Sequence, residues 1–226
     1  MSFLNIINYR YPDDSVKPDT NETLNAKIKQ IAMPELSDPI SRFAEIFAQV
    51  KQVVLPEPAA MTLATVGADG KPSARVVLLK GFDENGFVFY TNLESRKGRE
   101  LAANPYAALC FYWAPLEQQV RIEGRVEKVS DIEADAYFAT RPRGAQIGAW
   151  ASKQSRALAT REELETRVKA VEEKFAGREV PRPPFWSGFR VIPERLEFWQ
   201  SQPSRLHDRT VYSRQNDGWI VEKLYP

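Results

Sequence analysis

The amino-acid sequence predicts an α+β protein, mainly β, in which helices surround an antiparallel sheet or barrel. Three observations lead to this prediction. Short segments rich in β-branched residues follow one another between turn signals, some of them alternate apolar and polar side chains, and strands and helices do not alternate regularly along the chain. The last observation argues against a doubly wound parallel sheet.

Strands are predicted where β-branched and aromatic residues cluster. The predicted strands are residues 61–66, 73–80, 87–91, 107–113, 119–129, 189–192, 195–200, 205–214 and 219–224. Within residues 119–129, Val120, Ile122 and Val126 alternate with polar residues, so one face of this strand is expected to be buried. Cys110 lies between apolar neighbours and is interpreted as an unreactive core thiol.

Helices are predicted in four segments. An amphipathic helix follows Asp38, and a short helix over residues 96–102 has Ser95 as its N-cap. Residues 132–140 and 160–175 are rich in glutamate and alanine, and the second of these segments opens with a capping-box pattern. Residues 1–38 are rich in turn-forming residues, which predicts a loosely ordered arm before a single domain over residues 39–226.

The composition is that of an ordinary folded protein. The chain has 226 residues, 43% hydrophobic and 27% charged, with a formal net charge of +1. A charge so close to zero gives no general attraction to nucleic acid or to an anionic membrane, so any anion site must be local. One cysteine and one histidine cannot form an intramolecular disulfide or an ordinary Cys/His zinc site, and no metal is expected.

No segment predicts export or membrane insertion. The N-terminus lacks a basic region followed by an apolar stretch of ~7–15 residues, and no apolar run approaches ~20 residues. We therefore expect a soluble, cytoplasmic protein. Nucleotide-binding and serine-hydrolase motifs are also missing, since the sequence has no G-x-G-x-x-G, no phosphate loop and no G-x-S-x-G.

Cations occur where binding of a compact anion would be useful. Arg75 and Lys80 flank an apolar strand, and strand parity places them on opposite faces unless a bulge intervenes, so they could serve two anions. Arg96 and Lys97 begin a helix, where cations are unfavourable unless an anion lies among the free backbone amides. A solvated helix start is an equally good interpretation of this pair.

Two more groups extend this pattern. Tyr137 and Arg141 would share one helical face if the helix persists, so that both could contact one phosphate, although surface pairs of this kind are equally common. Three basic residues would share one face of a strand: Arg205, His207 and Arg209. They would repel one another without an anion or an electron-rich ring. Trp199 could stack on a flat aromatic cofactor or simply belong to the core.

Eight segments together resemble a known family. They are Ser73-Ala-Arg-Val-Val-Leu-Leu-Lys80, Phe89-Tyr-Thr-Asn92, Ser95-Arg-Lys97, Gln119-Val-Arg-Ile-Glu-Gly124, Tyr137-Phe-Ala-Thr-Arg-Pro142, Gln146-Ile-Gly-Ala-Trp-Ala-Ser-Lys-Gln-Ser155, Glu197-Phe-Trp-Gln200 and Arg205-Leu-His-Asp-Arg209. In order, spacing and identity they resemble the pyridoxine/pyridoxamine 5′-phosphate oxidases, the FMN enzymes that complete vitamin B6 synthesis. The resemblance implies an FMN-binding split β-barrel and a homodimer with two FMN molecules in clefts between the subunits.

The resemblance also implies site residues. The residues that would hold FMN are Arg75, Val76, Val77, Leu78, Leu79, Lys80, Tyr90, Thr91, Arg96, Lys97, Gln119, Gln154, Ser155, Trp199 and Arg209. Among these, Arg75 and Lys97 are the expected phosphate partners. The residues that would hold the phosphorylated substrate are Lys80, Tyr137, Arg141, Ala145, Arg205 and His207. Arg205 and His207 would flank the pyridine ring as the catalytic pair.

The implied reaction passes a hydride from the substrate C4′ to FMN, and O2 then reoxidises the flavin to give H2O2. The product is pyridoxal 5′-phosphate, with NH3 released when the substrate is the amine. Such a transfer needs orientation more than a nucleophile, which agrees with the missing hydrolase motif. Two alternatives stay open: a flavin-dependent reductase of the same fold with another acceptor, and a non-catalytic carrier of flavin or pyridoxal 5′-phosphate.

The sequence departs from the family pattern at Ala145, where the family usually has a serine that binds the substrate phosphate. A hydrogen bond to a charged group contributes roughly 1.5–3 kcal/mol, so we expect weaker substrate binding here. Ala145→Ser is therefore expected to lower the steady-state KM for the phosphorylated substrate. An unchanged KM would contradict this expectation.

Overall fold

An antiparallel sheet of nine strands organises the part of the chain that the computed structural model describes, residues 38–52 and 57–226. The strands are β1 (Ala60–Val66), β2 (Pro72–Leu78), β3 (Gly81–Asp83), β4 (Gly86–Asn92), β5 (Tyr106–Trp113), β6 (Gln118–Lys128), β7 (Trp186–Gln200), β8 (Asp208–Gln215) and β9 (Gly218–Lys223). The helices are α1 (Pro39–Val50), α2 (Arg96–Ala103), α3 (Asp131–Thr140), α4 (Arg143–Ala151) and α5 (Arg161–Lys174). The predicted antiparallel sheet with peripheral helices is confirmed.

The strand order explains how the sheet curves. It runs β2-β1-β5-β6-β7-β4-β3, with β8 paired to β7 and β9 to β8. Strand β7 pairs with β6 along most of its length, but its first half also pairs with β4 and its second half with β8. A register shift opposite Glu123 and Gly124 bends the strand between the two halves. The sequence predicted two separate strands, residues 189–192 and 195–200, where the structure has the single strand β7.

Gly124 permits the close approach of β6 and β7 at the bend. A Cβ atom at this position would lie 1.9 Å from the carbonyl oxygen of Ile192. Any larger residue would push the two strands apart at the point where β7 changes partners.

The core lies between one face of the sheet and α1. Asp38 caps this helix by accepting hydrogen bonds from the backbone N–H groups of Ile40 and Ser41. Phe43 is fully buried, and its ring contacts the rings of Phe87 and Phe111 at 4.9 and 5.3 Å. The short helix α2 begins, as predicted, after the N-cap Ser95. The remaining residues of the predicted N-terminal arm lie outside the described residues.

The other face of the sheet is polar and more open. In β6 the alternation predicted from the sequence is confirmed, since Val120 and Ile122 are fully buried and Gln119 on the opposite face is not. Cys110 also lies on this open face, opposite to Leu109, and it is only partly buried. The prediction that it belongs to the core is therefore wrong, although burial still raises the pKa of its thiol.

Lys80 and Arg141 both lie just outside the elements that precede them: β2 ends earlier than predicted, whereas α3 ends at Thr140, as predicted. Strand β2 ends at Leu78, so Lys80 lies in the link to β3 and the parity argument that related it to Arg75 does not apply. Helix α3 ends at Thr140, and Arg141 has extended backbone, with φ −72° and ψ 144°. The proline that follows Arg141 disfavours helical backbone at that residue. Helix α4, which the sequence prediction missed, begins directly afterwards.

The strand predicted over residues 205–214 begins only at Asp208. Residues Pro203–Arg205 form a 3-10 turn, in which Ser204 and Arg205 both have positive φ, 57° and 62°. Strand alternation requires extended backbone, so the prediction that Arg205 and His207 share a strand face with Arg209 is wrong. No helix among the described residues is long and apolar enough to span a bilayer.

Candidate functional site

A cavity of about 280 Å³, called here the anion pocket, is lined by residues of β2, β4, β7 and the helices beside them. Its lining residues are Val76, Val77, Leu78, Lys80, Tyr90, Thr91, Asn92, Lys97, Tyr137, Arg141, Gln154 and Trp186. Three of these residues are cations and none is a carboxylate. A concave site with charge of one sign concentrates ligands of the opposite sign, so the pocket favours anions.

Arg141 is a cation of the pocket whose guanidinium has a buried nitrogen atom, Nη1, that lacks a hydrogen-bond acceptor within the described residues. Its guanidinium carbon lies 4.7 Å from the centre of the Trp186 ring and 5.5 Å from that of Phe138. Burial lowers the pKa of Arg141, and only the neighbouring Tyr137 opposes this effect. A buried cation without an acceptor is unfavourable, so this position suits an anionic ligand.

Aromatic rings form one wall of the pocket. The rings of Tyr90 and Tyr137 are stacked with centroids 4.0 Å apart, and Tyr90 is stacked on Trp186 at 5.3 Å. Burial, assisted by the charge of Glu133, raises the pKa of Tyr90 to about 12. Burial also raises the pKa of Tyr137, against the effect of Arg141. Both hydroxyl groups therefore stay protonated near neutral pH and can donate a hydrogen bond.

Lys97 adds a buried ammonium group. Its Nζ atom donates to the hydroxyl of Thr91 at 3.3 Å, and this hydroxyl donates to Oε1 of Gln154 at 3.2 Å. Burial and the charge of Arg75 lower the pKa of Lys97, whereas Glu100 raises it. An ammonium group has three N–H donors, so Lys97 retains donors for a ligand in the pocket.

Arg75 and Arg96 are not among the lining residues of the pocket, because both bind Glu100. The Glu100 side chain is 9% exposed, and its Oε2 atom accepts hydrogen bonds from Thr65 at 2.6 Å, Ser73 at 2.7 Å and Arg75 at 3.1 Å. The Nε atom of Arg96 donates to the other oxygen at 2.8 Å. The unfavourable cation at the start of α2 is thus neutralised within the protein.

Three of the predicted flavin ligands lie elsewhere, in one row across the open face of the sheet. Trp199 in β7 is paired directly with Gln119 in β6 and with Arg209 in β8, and these residues form the Trp199 row. The ring of His207 lies 4.6 Å from that of Trp199. The Nδ1 atom of His207 accepts a hydrogen bond from the backbone N–H of Gln202 at 3.2 Å.

The repulsion expected among Arg205, His207 and Arg209 does not arise. The Nε atom of Arg209 donates to the carboxylate of Glu197 at 2.8 Å, and this hydrogen bond raises the pKa of Arg209. Glu197 is 2% exposed, so the charge of Arg209 is balanced inside the fold. Arg205 is exposed in the turn that precedes β8.

Two family models match the chain. The model described as Pyridoxamine 5'-phosphate oxidase matches residues 47–175, which is more than half of the chain. The chain belongs to the pyridoxine/pyridoxamine 5′-phosphate oxidase family. The family's second model, described as Pyridoxine 5'-phosphate oxidase C-terminal dimerisation region, matches residues 186–226.

Relatives of the oxidase family support the same assignment. A pyridoxine/pyridoxamine 5′-phosphate oxidase from Myxococcus xanthus (strain DK1622) is 68% identical over 189 residues, which cover 84% of this chain and 92% of the relative. The structure of PhzG from Burkholderia lata, in complex with tetrahydrophenazine-1-carboxylic acid, is 32% identical, with a TM-score of 0.82 over 87% of this chain and 98% of that chain. The family resemblance predicted from the eight segments is therefore confirmed.

A more distant structure bears on the fold alone. A pyridoxamine 5′-phosphate oxidase-related, FMN-binding protein from Nostoc punctiforme is 19% identical, with a TM-score of 0.67 over 85% of this chain and 99% of that chain. The split-barrel fold expected of an oxidase of this family is confirmed.

Most of the site residues predicted from the family resemblance fall into two groups. Those that line the anion pocket are Val76, Val77, Leu78, Lys80, Tyr90, Thr91, Lys97, Tyr137, Arg141 and Gln154. Those in or beside the Trp199 row are Gln119, Trp199, His207 and Arg209, with Arg205 in the adjoining turn. Among the residues lining the anion pocket, none comes from the second group. The roles assigned to these residues stay predictions.

Five predicted residues lie in neither group, and one of them is Arg75, whose guanidinium donates to Glu100. Leu79 is buried in the core, and Ala145 lies in the first turn of α4, outside the lining of the pocket. Ser155 follows Gln154 with a positive φ of 66°, and Arg96 binds Glu100. The sequence offered no reason to single out Trp186, because its contacts with Arg141, Tyr137 and Tyr90 arise from the packing of β7, β4 and the end of α3.

The Glu100 carboxylate gives a prediction about stability. Burial acts to raise its pKa, but the hydrogen bonds from its four partners lower it from 4.5 to about 2. A lowered pKa stabilises the folded state fully above pH 4.5, and this stabilisation is lost as the pH falls toward 2. Glu100→Gln is expected to lower the free energy of unfolding by about 2 kcal/mol at pH 7, since water screens part of the interaction.

Urea unfolding of the wild type and of Glu100→Gln, at pH 7 and near pH 3.5, measures this effect. The difference between their free energies of unfolding is expected to shrink at the lower pH. The control is Glu94→Gln, because Glu94 forms an exposed ion pair with Arg156 at 3.0 Å. Its removal is expected to change stability by less than about 1 kcal/mol. A loss for Glu100→Gln that does not depend on pH would contradict the prediction.

Proposed function

We propose that this protein, an FMN-dependent oxidase by family membership, converts pyridoxine 5′-phosphate or pyridoxamine 5′-phosphate to pyridoxal 5′-phosphate. The observation that carries the proposal is the anion pocket, with three cations, no carboxylate among its lining residues and a buried Arg141 Nη1 atom without a protein acceptor. Cofactor and substrate each bring one phosphate dianion. Their combined charge accounts for the concentration of cations in a chain that is nearly neutral overall.

The donors in the pocket fit two phosphates. Lys97, held by Thr91, would bind the FMN phosphate, and Gln154 would bind the same cofactor. Arg141 and Tyr137, with Lys80, would bind the substrate phosphate by charge-assisted hydrogen bonds. The chemistry that bound FMN supplies is acceptance of a hydride from the substrate C4′ and return of the electrons to O2, which gives H2O2.

Arg205 and His207 would orient the substrate ring. Because Nδ1 of His207 accepts the Gln202 N–H, the neutral imidazole carries its proton on Nε2 and presents it as a donor. The adjacent ring of Trp199 limits the motion of the imidazole. Holding the ring in one orientation lowers the entropic part of the barrier to hydride transfer.

The protein would act as a homodimer whose two subunits share each site. The dimerisation region of the family matches residues 186–226, and these contain Trp199, Arg205, His207 and Arg209. In one chain the Trp199 row and the anion pocket are separate, whereas the reaction needs both at one cofactor. A second subunit would supply the Trp199 row to the pocket of the first.

An aerobic assay tests the proposed function. FMN-loaded protein is incubated with pyridoxine 5′-phosphate, and pyridoxal 5′-phosphate and H2O2 are measured together. Appearance of both in equal amounts supports the oxidase function. Binding of FMN without either product would refute it and would favour the reductase or the carrier. Arg205→Ala in the same assay tests the orienting role, which an unchanged kcat would refute.

A further inference from the structure

Trp186 lies close to both side chains that the proposed function assigns to the substrate phosphate, Arg141 and Tyr137. Its ring is 4.7 Å from the guanidinium carbon of Arg141 and nearly parallel to the ring of Tyr137, with an angle of 6° and centroids 6.2 Å apart. The ring of Tyr90 is stacked on it at 5.3 Å. The Trp186 ring thus contacts the cation of Arg141 directly, and it contacts Tyr137, the hydroxyl donor, through the ring of Tyr90.

We infer that Trp186 is a positioning residue for substrate binding, which acts by holding Arg141 and Tyr137 in place for the substrate phosphate. The inference rests on the proposed function for the identity of the ligand. It concerns a residue to which the sequence pattern assigned no role.

The backbone around Arg141 makes such support necessary. Helix α3 ends at Thr140, so Arg141 has extended backbone and gains no orientation from helical geometry. Its Nη1 atom is buried without an acceptor among the described residues, and no ion pair with a described carboxylate holds the guanidinium. Contact with the faces of Trp186 and Phe138 therefore keeps the side chain in one orientation.

Trp186 is itself firmly placed. It is 6% exposed, and the ring of Phe138 packs edge-on against it at 5.1 Å. Its backbone carbonyl accepts a hydrogen bond from Nη1 of Arg182 at 2.8 Å, and Arg182 is held in turn by ion pairs with Asp131 and Asp135. Because both the backbone and the ring of Trp186 are held in place, its ring can hold the guanidinium of Arg141 in one position.

Loss of the indole face should weaken phosphate binding without changing the chemical step. Cation–π contacts of a desolvated guanidinium contribute enough to change an affinity about tenfold. Trp186→Leu in the FMN-loaded protein is expected to raise KM for pyridoxine 5′-phosphate about tenfold and to change kcat by less than about threefold. Trp186→Phe keeps an aromatic face and is expected to restore most of the affinity.

A matched control separates this role from general packing. Trp150 packs against the same apolar cluster, and the Nζ atom of Lys174 lies 4.6 Å from the centre of its ring. Trp150 does not line the anion pocket. Trp150→Leu is therefore expected to leave KM unchanged. An equal rise of KM in Trp150→Leu, or a tenfold weaker binding of FMN in Trp186→Leu, would overturn the inference.

A double mutant tests whether Trp186 acts through Arg141. In an Arg141→Gln background the guanidinium is gone, so Trp186→Leu should raise KM by less than about twofold more. A full further tenfold rise would overturn the inference. The variants should keep the same order when the inhibition constants of inorganic phosphate and pyridoxal 5′-phosphate are measured. If the wild type shows no turnover, calorimetry gives the dissociation constants of the same two ligands instead. Failure of the proposed function therefore leaves this inference testable, and equal affinities in all variants would refute it.

Discussion

Replacement of Arg141 by glutamine is expected to raise KM for pyridoxine 5′-phosphate about 100-fold while kcat changes by less than about threefold. The Nη1 atom of Arg141 is buried without an acceptor in the described structure, so its charge is available to the ligand and is weakly screened by water. A charge-assisted hydrogen bond in such a place contributes roughly 1.5–3 kcal/mol, which corresponds to this change in affinity. Steady-state kinetics of the FMN-loaded variant measure it.

Arg143→Gln is the control for this prediction. Arg143 lies two positions further along the chain and donates to the carbonyl groups of Phe175 and Arg178 at 2.7 and 2.9 Å, outside the anion pocket. It is expected to lower stability slightly and to leave KM unchanged. The prediction would be wrong if Arg141→Gln left KM within threefold of the wild type, or if its main effect were on the dissociation constant of FMN.

Replacement of Lys97 by methionine is expected to weaken FMN binding about 100-fold. The ammonium group is buried beside Thr91 and would form a charge-assisted contact with the cofactor phosphate. Burial and the charge of Arg75 lower the pKa of Lys97, so its charge is unfavourable in the protein without cofactor. The variant without FMN is therefore expected to melt at the same temperature as the wild type or a higher one.

Two measurements distinguish loss of the site from loss of the fold. Quenching of flavin fluorescence gives the dissociation constant of FMN, and thermal unfolding without FMN gives the stability. Arg99→Met is the control, because Arg99 is exposed on the same helix and donates to the carbonyl group of Glu94. Equal FMN affinities for Lys97→Met and the wild type would show that Lys97 does not bind the cofactor phosphate.

Local sequence signals predicted a large part of the fold because they depend on neighbours in the chain. The cap at Ser95, the cap at Thr160 and the alternation of β6 all agree with the structure. Errors occurred where a local rule was extended past its limits. Helix α3 ends at Thr140, as predicted, so it does not persist to Arg141 and the helical face that Tyr137 and Arg141 would have shared does not form. The left-handed backbone of Arg205 delays β8, so the strand face deduced for Arg205 and His207 was wrong.

The candidate site was predictable to a different degree. Family membership follows from the eight segments, and ten of the predicted residues do line one cavity. The partners of the cations could not be predicted, because Glu100 and Glu197 lie far from Arg75 and Arg209 in the sequence or on another strand. These carboxylates decide which arginines are neutralised inside the fold and which cation remains available to a ligand.

Most of the elements, the kind of fold and the family could be predicted from the sequence, since hydrophobic periodicity, capping residues and motif spacing are local properties of a chain. Which arginine and lysine side chains are available to a ligand could not be predicted in this way. Whether a guanidinium meets a carboxylate, an indole face or an empty cavity depends on how distant strands and helices pack. Only folding shows that Arg75 is paired with Glu100, whereas Arg141 rests on Trp186 with a nitrogen atom directed at no protein acceptor among the described residues.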